Sequence, residues 1–516
     1  MTAPHPPSNL LPLHEQQARH DLARLNYPAP NWVPPSNGPD GKPLLDVLVV
    51  GGGMCGQTVA FALQKEGLRN LRIIDQAAHG QEGPWGTYAR METLRSPKYL
   101  TSPDLGVASL TFRAWYEAQH GVDGWEALYK IPTRQWLDYL HWVRTIAAIP
   151  VENNTTLQAL EPAGALLRAQ VRGPRGSETL YARKVVLALG RDGSGAARLP
   201  RFPSFDPAQA RTDTLTDTRT DTLTDTRTDT LTDTLTNTLT NTRTNTQVFH
   251  SADAIDFAAF KGRRVAVLGA GSSAFDNAAT ALEAGAAQVA MFARRATLPQ
   301  VNKSKWTSFP GFFHGFIALD DTMRWKFLTH VFDEQVPPPF ESVLRCDKHA
   351  AFSLHLGEPW TDLATAKPLR VTTPKGTYEF DAVIIATGFD VDLMARAEVA
   401  AFRDQVQVWA DKVPPDQAAQ HPEEARFPYL GPGFEFLERS PGTQPAARNV
   451  HIFNWGCTMS HGQLAGDIPG LGSGAIRLAQ ALARDVFLMD QHRLYDMLLQ
   501  HAEPELKPTR YYLPRA

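Results

Sequence analysis

The chain has 516 residues, with 51 Lys and Arg against 54 Asp and Glu, a formal net charge of -3 and 43% hydrophobic residues. That balance excludes a strongly basic nucleic-acid binder and a protein drawn to anionic membrane by charge, while the length is enough to bury two or more cores. Cys55, Cys346 and Cys457 are the only cysteines and stand far apart, which argues against a disulfide framework and for a reducing, cytoplasmic compartment; no apolar run is long enough to span a bilayer and the first residues lack the pattern of a secretory signal.

Residues 1–45 read as a polar, proline-punctuated arm with one short amphipathic helix around Leu13 to Leu25. From Asp46 an apolar strand, a glycine turn, a helix to about Lys65 and the strand "NLRIID" open a βαβ unit. Gly80 to Pro150 is rich in Trp, Tyr and Pro, and "PTRQWLDYLHWVRTIA" predicts a helix with Thr133 as its N-cap. The strand "ARKVVLALG" follows, and then tandem T-(D/N)-T-(L/R) units from about Arg211 to Thr246, whose composition has no broad apolar face and is expected as a disordered expansion of a surface loop. A second strand–loop–helix unit starts at Lys261, "YEFDAVIIATGFDVDL" returns as a strand and turn, and a helix from about Gly472 to Met489 closes the first domain. The expected fold is α/β, with two Rossmann-like dinucleotide-binding domains, the second (261–375) inserted in the first (46–260 and 376–516).

In the first loop Gly51, Gly53 and Gly56 carry the spacing GxGxxG, with Met54 and Cys55 between them, and Asp75 ends the next strand. Such glycines allow the tight turn, the approach of a pyrophosphate to the helix N-terminus, and close helix–strand packing; a carboxylate at the second strand end accepts from ribose hydroxyls and repels a 2′-phosphate. FAD or NAD suits this loop. The second loop has Gly269 and Gly271, then Ser272, Ser273 and Ala274, and its second strand ends on Ala293, Arg294 and Arg295. Two guanidiniums in place of the acid suit the 2′-phosphate of NADPH, or else form a solvated surface pair. With FAD on one loop and NADPH on the other, hydride passes from nicotinamide to flavin. Neither CxxC nor CxxxxC occurs, so a disulfide reductase is not expected, and Cys55 reads as a small apolar filler.

Together these loops, "EGPWGTYARMETLRSPK" after Asp75 and "ATGFD" at Ala386 to Asp390 resemble the class B flavoprotein monooxygenases, over most of residues 46–490. The family comprises flavin-containing monooxygenases, Baeyer-Villiger monooxygenases and microbial N-hydroxylases. The resemblance implies FAD and NADPH as cofactors and oxygenation of a small organic substrate by O2 through a C4a-peroxyflavin. It places Trp85 against the flavin, where a core anchor is the alternative, and Ser96 and Lys98 near the flavin edge, where a plain turn is the alternative. Thr387, Gly388 and Asp390 belong to the motif that joins the two domains and are assigned to cofactor binding. The fingerprint before the second domain is only partly kept: His250 is present, Thr244 and Thr246 replace Phe and Gly, and Ala254 stands where an aromatic belongs. His250 either couples the domains or is a satisfied loop histidine.

Asn302, Lys303 and Trp306 either line the substrate side or are solvated loop residues, and the helix after "GDIPGLGSG" either aims its positive end at the flavin or serves packing alone. His461 has no assigned task. Neither a metal site nor a Ser-His-Asp arrangement is visible in the spacing, and no nucleic-acid or membrane partner is expected. Two other readings stand beside the monooxygenase: a flavin reductase or oxidase that releases H2O2, and a flavin-binding protein without turnover. The sequence names no substrate, type of oxygenation or oligomeric state.

Overall fold

The computed structural model of the chain describes residues 10–100, 102–207, 247–503, 505–506 and 510–511. The Thr-Asp-Thr repeat, Thr244 and Thr246 lie outside these.

Strand β1 (Leu45–Val50) is a run of apolar residues with one acid, and it fits the centre of a sheet because both of its faces are covered. It pairs in parallel with β2 (Leu71–Ile74) on one side and with β6 (Gly176–Leu187) on the other, Val49 lying opposite Ile73 and Val186. The short β3 (Val151–Glu152) extends the edge at β2, and β17 (Val450–Ile452) joins β6 in parallel from the far end of the chain. The outer half of β6 continues into an antiparallel meander with β5 (Leu166–Gly173) and β4 (Thr156–Ala163), completing a seven-stranded sheet.

Helix α2 (Met54–Lys65), buried along ten of its residues, is covered by the long helix α8 (Ile468–Met489). Around them, α3 (Phe112–Ala127) and α4 (Thr133–Ile146) pack through Phe112, Trp115, Trp136 and Tyr139, whose rings lie 5.2 to 6.0 Å apart in a continuous aromatic cluster, and α1 (Leu11–Arg24) joins them through His14 stacked on Trp142. The N-terminal arm thus carries a helix that buries Ala18 and Leu22 in the first core.

The second sheet is five parallel strands in the order β11-β10-β9-β15-β8: Phe352–Leu356, Gln288–Ala293, Arg264–Leu268, Ala382–Ile385 and Val248–His250. It draws β8 and β15 from either side of the 261–375 segment. Helix α5 (Ser272–Glu283) packs on it, followed by α6 (Asp321–Glu334) and α7 (Phe340–Asp347), and a three-stranded antiparallel sheet of β12 (Asp362–Ala364), β13 (Leu369–Thr373) and β14 (Gly376–Phe380) flanks it. Because β17 and α8 return to the first sheet after this unit, the second fold is inserted in the first, as the sequence pattern predicts.

Two helix starts differ from expectation. Thr133 is not the N-cap of α4: the helix begins behind Pro132, and the Thr133 hydroxyl donates to the Met91 carbonyl at 2.6 Å. That bond holds the preceding loop instead of the helix end. Helix α8 begins at Ile468, four residues before Gly472, because Asp467 supplies an acceptor to the Ile468 N–H and Pro469 is tolerated in a first turn.

Candidate functional site: two dinucleotide loops and the cleft between them

Each parallel sheet ends in a glycine turn on its central strand. Gly51 has φ +104°, and a Cβ there would stand 2.4 Å from the carbonyl oxygen of Ala188 at the exit of β6. Gly269 has φ +119°, and a Cβ would stand 2.5 Å from the carbonyl oxygen of Ala386 at the exit of β15. Both positions require a residue without a side chain. The N-caps of α2 and α5, Gly53 and Gly271, offer no side-chain oxygen to the first turns that carry Met54 and Cys55 in one helix and Ser272 and Ser273 in the other. Those orphan N–H groups and the helix dipole suit a pyrophosphate, and approach is open: a Cβ on Gly53 would come no nearer than 3.6 Å to Gly83, and one on Gly271 would meet nothing within 4 Å. The residues present therefore fit a dinucleotide at each loop.

The ends of the second strands differ. Asp75 accepts the Gly52 and Ala77 N–H groups, one on each carboxylate oxygen, both at 2.7 Å; burial raises its pKa and these bonds oppose the rise. Its remaining lone pairs are the acceptors at that edge. At the matching edge of the second sheet, Ala293 is buried, Arg294 is exposed and Arg295 half-buried. Neither guanidinium makes a hydrogen bond or ion pair among the described residues.

Glu358, just past β11, is a carboxylate hub behind these arginines. The Glu358 N–H bonds to the Ala293 carbonyl (2.9 Å) and the Gly357 N–H to the Arg295 carbonyl (2.7 Å), so the arginine turn is tied to it through the backbone. Burial alone would raise the pKa of the Glu358 side chain, but Tyr378, Thr373, Lys375 and His355 donate to it and bring the value down to about 2. No spacing in the sequence announces this group, since its donors come from three separate strands and the turn at Lys375.

On the first side, the "EGPWG" turn lies beside the glycine loop. Glu82 accepts from Arg144 (2.7 Å) and Asn153 (2.6 Å) and from the Gly80 N–H (2.7 Å), and so pins the turn to α4. Trp85 packs edge-on against Trp136 at 6.3 Å with its indole N–H buried and without a partner, a state it shares with Trp115, Trp136 and Trp142 of the same cluster. The ammonium of Lys98 is engaged elsewhere, donating to the Trp125 carbonyl at 2.6 Å and lying 4.6 Å over the Trp125 ring, while Ser96 is half-buried in the turn two residues before it. The thiol of Cys55 is buried and pushed up to about 11 by desolvation, as suits a filler.

Thr387, Gly388 and Asp390 meet in the strap between the two units, where β7 (Gly195–Ala197) and β16 (Phe389–Val391) form an antiparallel pair. The Thr387 hydroxyl donates to the Arg198 carbonyl (2.6 Å), the Arg198 N–H bonds to the Gly388 carbonyl (2.9 Å), and the Arg198 guanidinium bonds to Asp390 (2.7 Å). His250 accepts the Ala252 N–H on Nδ1, so its Nε2–H donates to the Gly388 carbonyl at 3.0 Å. Arg90, from the first unit, reaches the Ser251 and Asp253 carbonyls next to it (2.5 and 2.7 Å), and Arg95 pairs with buried Asp276 of α5 (3.1 Å).

Asn302 caps the one-turn helix Lys303–Trp306 through the Lys305 N–H, and Ser304 of that helix exchanges hydrogen bonds with Gln463, which puts it at the mouth of the cleft; Trp306 is 61% exposed there. His461 is fully buried, donates from Nε2 to the Gly431 carbonyl and stacks on Phe434 at 3.8 Å; burial holds its pKa well below the usual range, so it is a neutral core residue. Past the ends of β6 and β17, the exposed Arg191 guanidinium lies 3.8 Å over the ring of half-buried Trp455. Sequence reasoning missed this pair; the one local signal was Gly190, whose φ of +79° turns the chain just past the end of β6.

Among the described residues, no helix is long and apolar enough to cross a membrane, and no His, Cys, Asp and Glu group of metal-binding size occurs.

Comparisons with known proteins agree with this geometry. Residues 48–192 match the FAD-NAD(P)-binding family. The chain is 39% identical over 495 residues to an FAD-dependent urate hydroxylase of Xanthomonas campestris pv. campestris, covering 95% of this chain and 96% of that one. Among solved structures it resembles an ornithine N-hydroxylase of Kutzneria sp. 744 (TM-score 0.61, 15% identity, 86% of this chain and 100% of that chain) and the L-lysine 6-monooxygenase of Pseudomonas syringae (TM-score 0.57, 16% identity, 85% and 99%), which share the fold.

Proposed function

The chain belongs to the class B flavoprotein monooxygenases as an FAD-dependent hydroxylase of a small molecule, and from that premise we propose that it hydroxylates urate at the expense of NADPH and O2. The observation that carries the substrate is the 39% identity with the urate hydroxylase, which runs through 95% of this chain and so includes both loops and the cleft. NADPH is favoured over NADH by Arg294 and Arg295, two unpaired guanidiniums where a 2′-phosphate would lie.

In this reading the turn Gly51, Gly53, Met54, Cys55 and Gly56 holds the FAD pyrophosphate on α2, and Asp75 holds the adenosine ribose. Gly269, Gly271, Ser272 and Ser273 hold the NADPH pyrophosphate on α5. We assign 46–260 with 376–516 to the flavin and 261–375, with its flanking strands, to the nicotinamide nucleotide. When bound, the flavin accepts hydride from the nicotinamide and activates O2. The chain's own part is positional: Glu82 and Arg144 hold the turn of Trp85, α8 starts with its positive end beside the segment of Trp455, and the strap at Gly388 with the ion pair of Arg95 and Asp276 ties the two nucleotide units together. We place the enzyme in the cytoplasm, where its three buried free thiols stay reduced.

The test is an NADPH oxidation assay on the yellow holoenzyme. Urate is expected to accelerate NADPH oxidation and to disappear in equimolar amount with it. A rate indifferent to urate, with peroxide formed in step with NADPH, would instead place the chain among flavin oxidases.

A further inference from the structure

We propose that Arg191, Trp455 and Asp467 form the subsite for the substrate itself, built for a planar, anionic heterocycle that also bears N–H donors; this rests on the urate reading above. Arg191 leaves β6 three residues after Ala188, whose carbonyl abuts Gly51, so it stands at the edge of the first sheet where the flavin loop opens. Trp455 leaves β17 three residues after Ile452, and Ile452 pairs with Leu187, so the two loops exit side by side.

Fully buried Asn454 sews them together. Its Nδ2 donates to the Leu187 carbonyl (3.0 Å), and its Oδ1 accepts from the Ser194 hydroxyl (2.7 Å) and the Gly456 N–H (2.9 Å). The 3.8 Å stack of guanidinium on indole is thus set by the backbones that carry it, and the cation–π contact fixes the plane of the fork.

Other arginines of the chain differ from Arg191 in being engaged. Arg95 is paired with Asp276, Arg477 with the Phe313 carbonyl, and Arg324 with Asp321 and Tyr429. Arg191 alone of these four has no hydrogen-bond acceptor and no ion pair among the described residues, and its guanidinium is exposed to solvent beyond the Trp455 ring. Asp467 gives one oxygen to the Ile468 N–H and keeps the other unbonded; its own pKa is raised by burial and drawn down by Arg191. A cation and an anion therefore share the cleft without closing into a pair. Urate, an anion at neutral pH with ring carbonyls and N–H groups along its edges, meets both: oxygens to the fork, N–H to the free carboxylate oxygen. Phe332 of α6 lies 6.0 Å from the Trp455 ring and brings the inserted unit to the same place.

The experiment titrates the oxidised, flavin-loaded enzyme with urate and with caffeine, a neutral purine, following the flavin absorbance. Arg191→Ala is expected to weaken urate binding about 10- to 100-fold while caffeine changes by less than about twofold. Arg191→Lys, which keeps the charge but not the fork, should fall between, and Asp467→Asn should weaken urate less than Arg191→Ala. Flavin content per chain identifies any variant that has lost its fold, and the Lys variant then carries the comparison. Urate binding to a flavin-loaded Arg191→Ala enzyme as tightly as to wild type overturns the subsite alone. A wild-type enzyme whose flavin spectrum and NADPH oxidation both ignore urate overturns the urate reading and the subsite with it, and the two failures are told apart by which protein shows them.

Discussion

The two glycine loops make the same turn and then part company at two positions. In the first unit the third small residue is Gly56, where a Cβ would stand 1.8 Å from the Gly51 carbonyl oxygen; in the second it is Ala274, fully buried and accommodated. At the ends of the second strands stand Asp75 in the first unit and Arg294 with Arg295 in the second. In the function proposed above, the turn is common because each loop takes a pyrophosphate on a helix N-terminus, and the edges differ because a resident and a visiting nucleotide are told apart by charge at the ribose.

The largest effect is expected from forcing the first loop to copy the second. Gly56→Ala drives a methyl into backbone that cannot retreat, so the variant is expected to lose bound flavin and to unfold at markedly lower temperature, whereas Ala274→Gly should cost about 1 kcal/mol and leave flavin content unchanged. Equal flavin content in the two variants would remove the distinction. A smaller effect is expected at Glu358. Its folded pKa, about 2, lies below the ordinary value of 4.5, so the carboxylate stabilises the fold above pH 4.5 and that contribution is lost as the pH falls from 4.5 toward 2. Glu358→Gln should cost about 1–3 kcal/mol at neutral pH and flatten the acid limb of a Tm-against-pH curve, with a rise in the NADPH KM that exceeds any rise for NADH. An acid limb identical to wild type would show that the hub does not hold the arginine turn.

Much of this was legible in the residues. The two loops, with Asp75 and the arginines at the strand ends, follow from local patterns, because a strand, a glycine turn and a helix are written within about thirty consecutive residues; the returning helix α8 was legible too, but the three-residue strand β17 was not. The role of Thr133 was not, because its hydroxyl found the Met91 carbonyl across a loop instead of its own helix end. Nor were the groups that hold the site in place. Asn454 bonds to Ser194, 260 positions away, and Arg144 to Glu82, 62 positions away; such pairs have no period or spacing to read and exist only once the sheet is formed. Trp455 and Asp467 stand in segments whose interest was evident, but their partner Arg191 comes from the other end of the first domain.

The account rests most directly on the ratio of kcat/KM for NADPH to that for NADH, measured on wild type and on the variant carrying both Arg294→Ala and Arg295→Ala. A wild-type ratio of about 10 or more that falls close to unity in the double variant, through a rise in the NADPH KM, is the expected result. A wild-type enzyme indifferent to the 2′-phosphate, or a double variant that keeps the wild-type ratio, would contradict it.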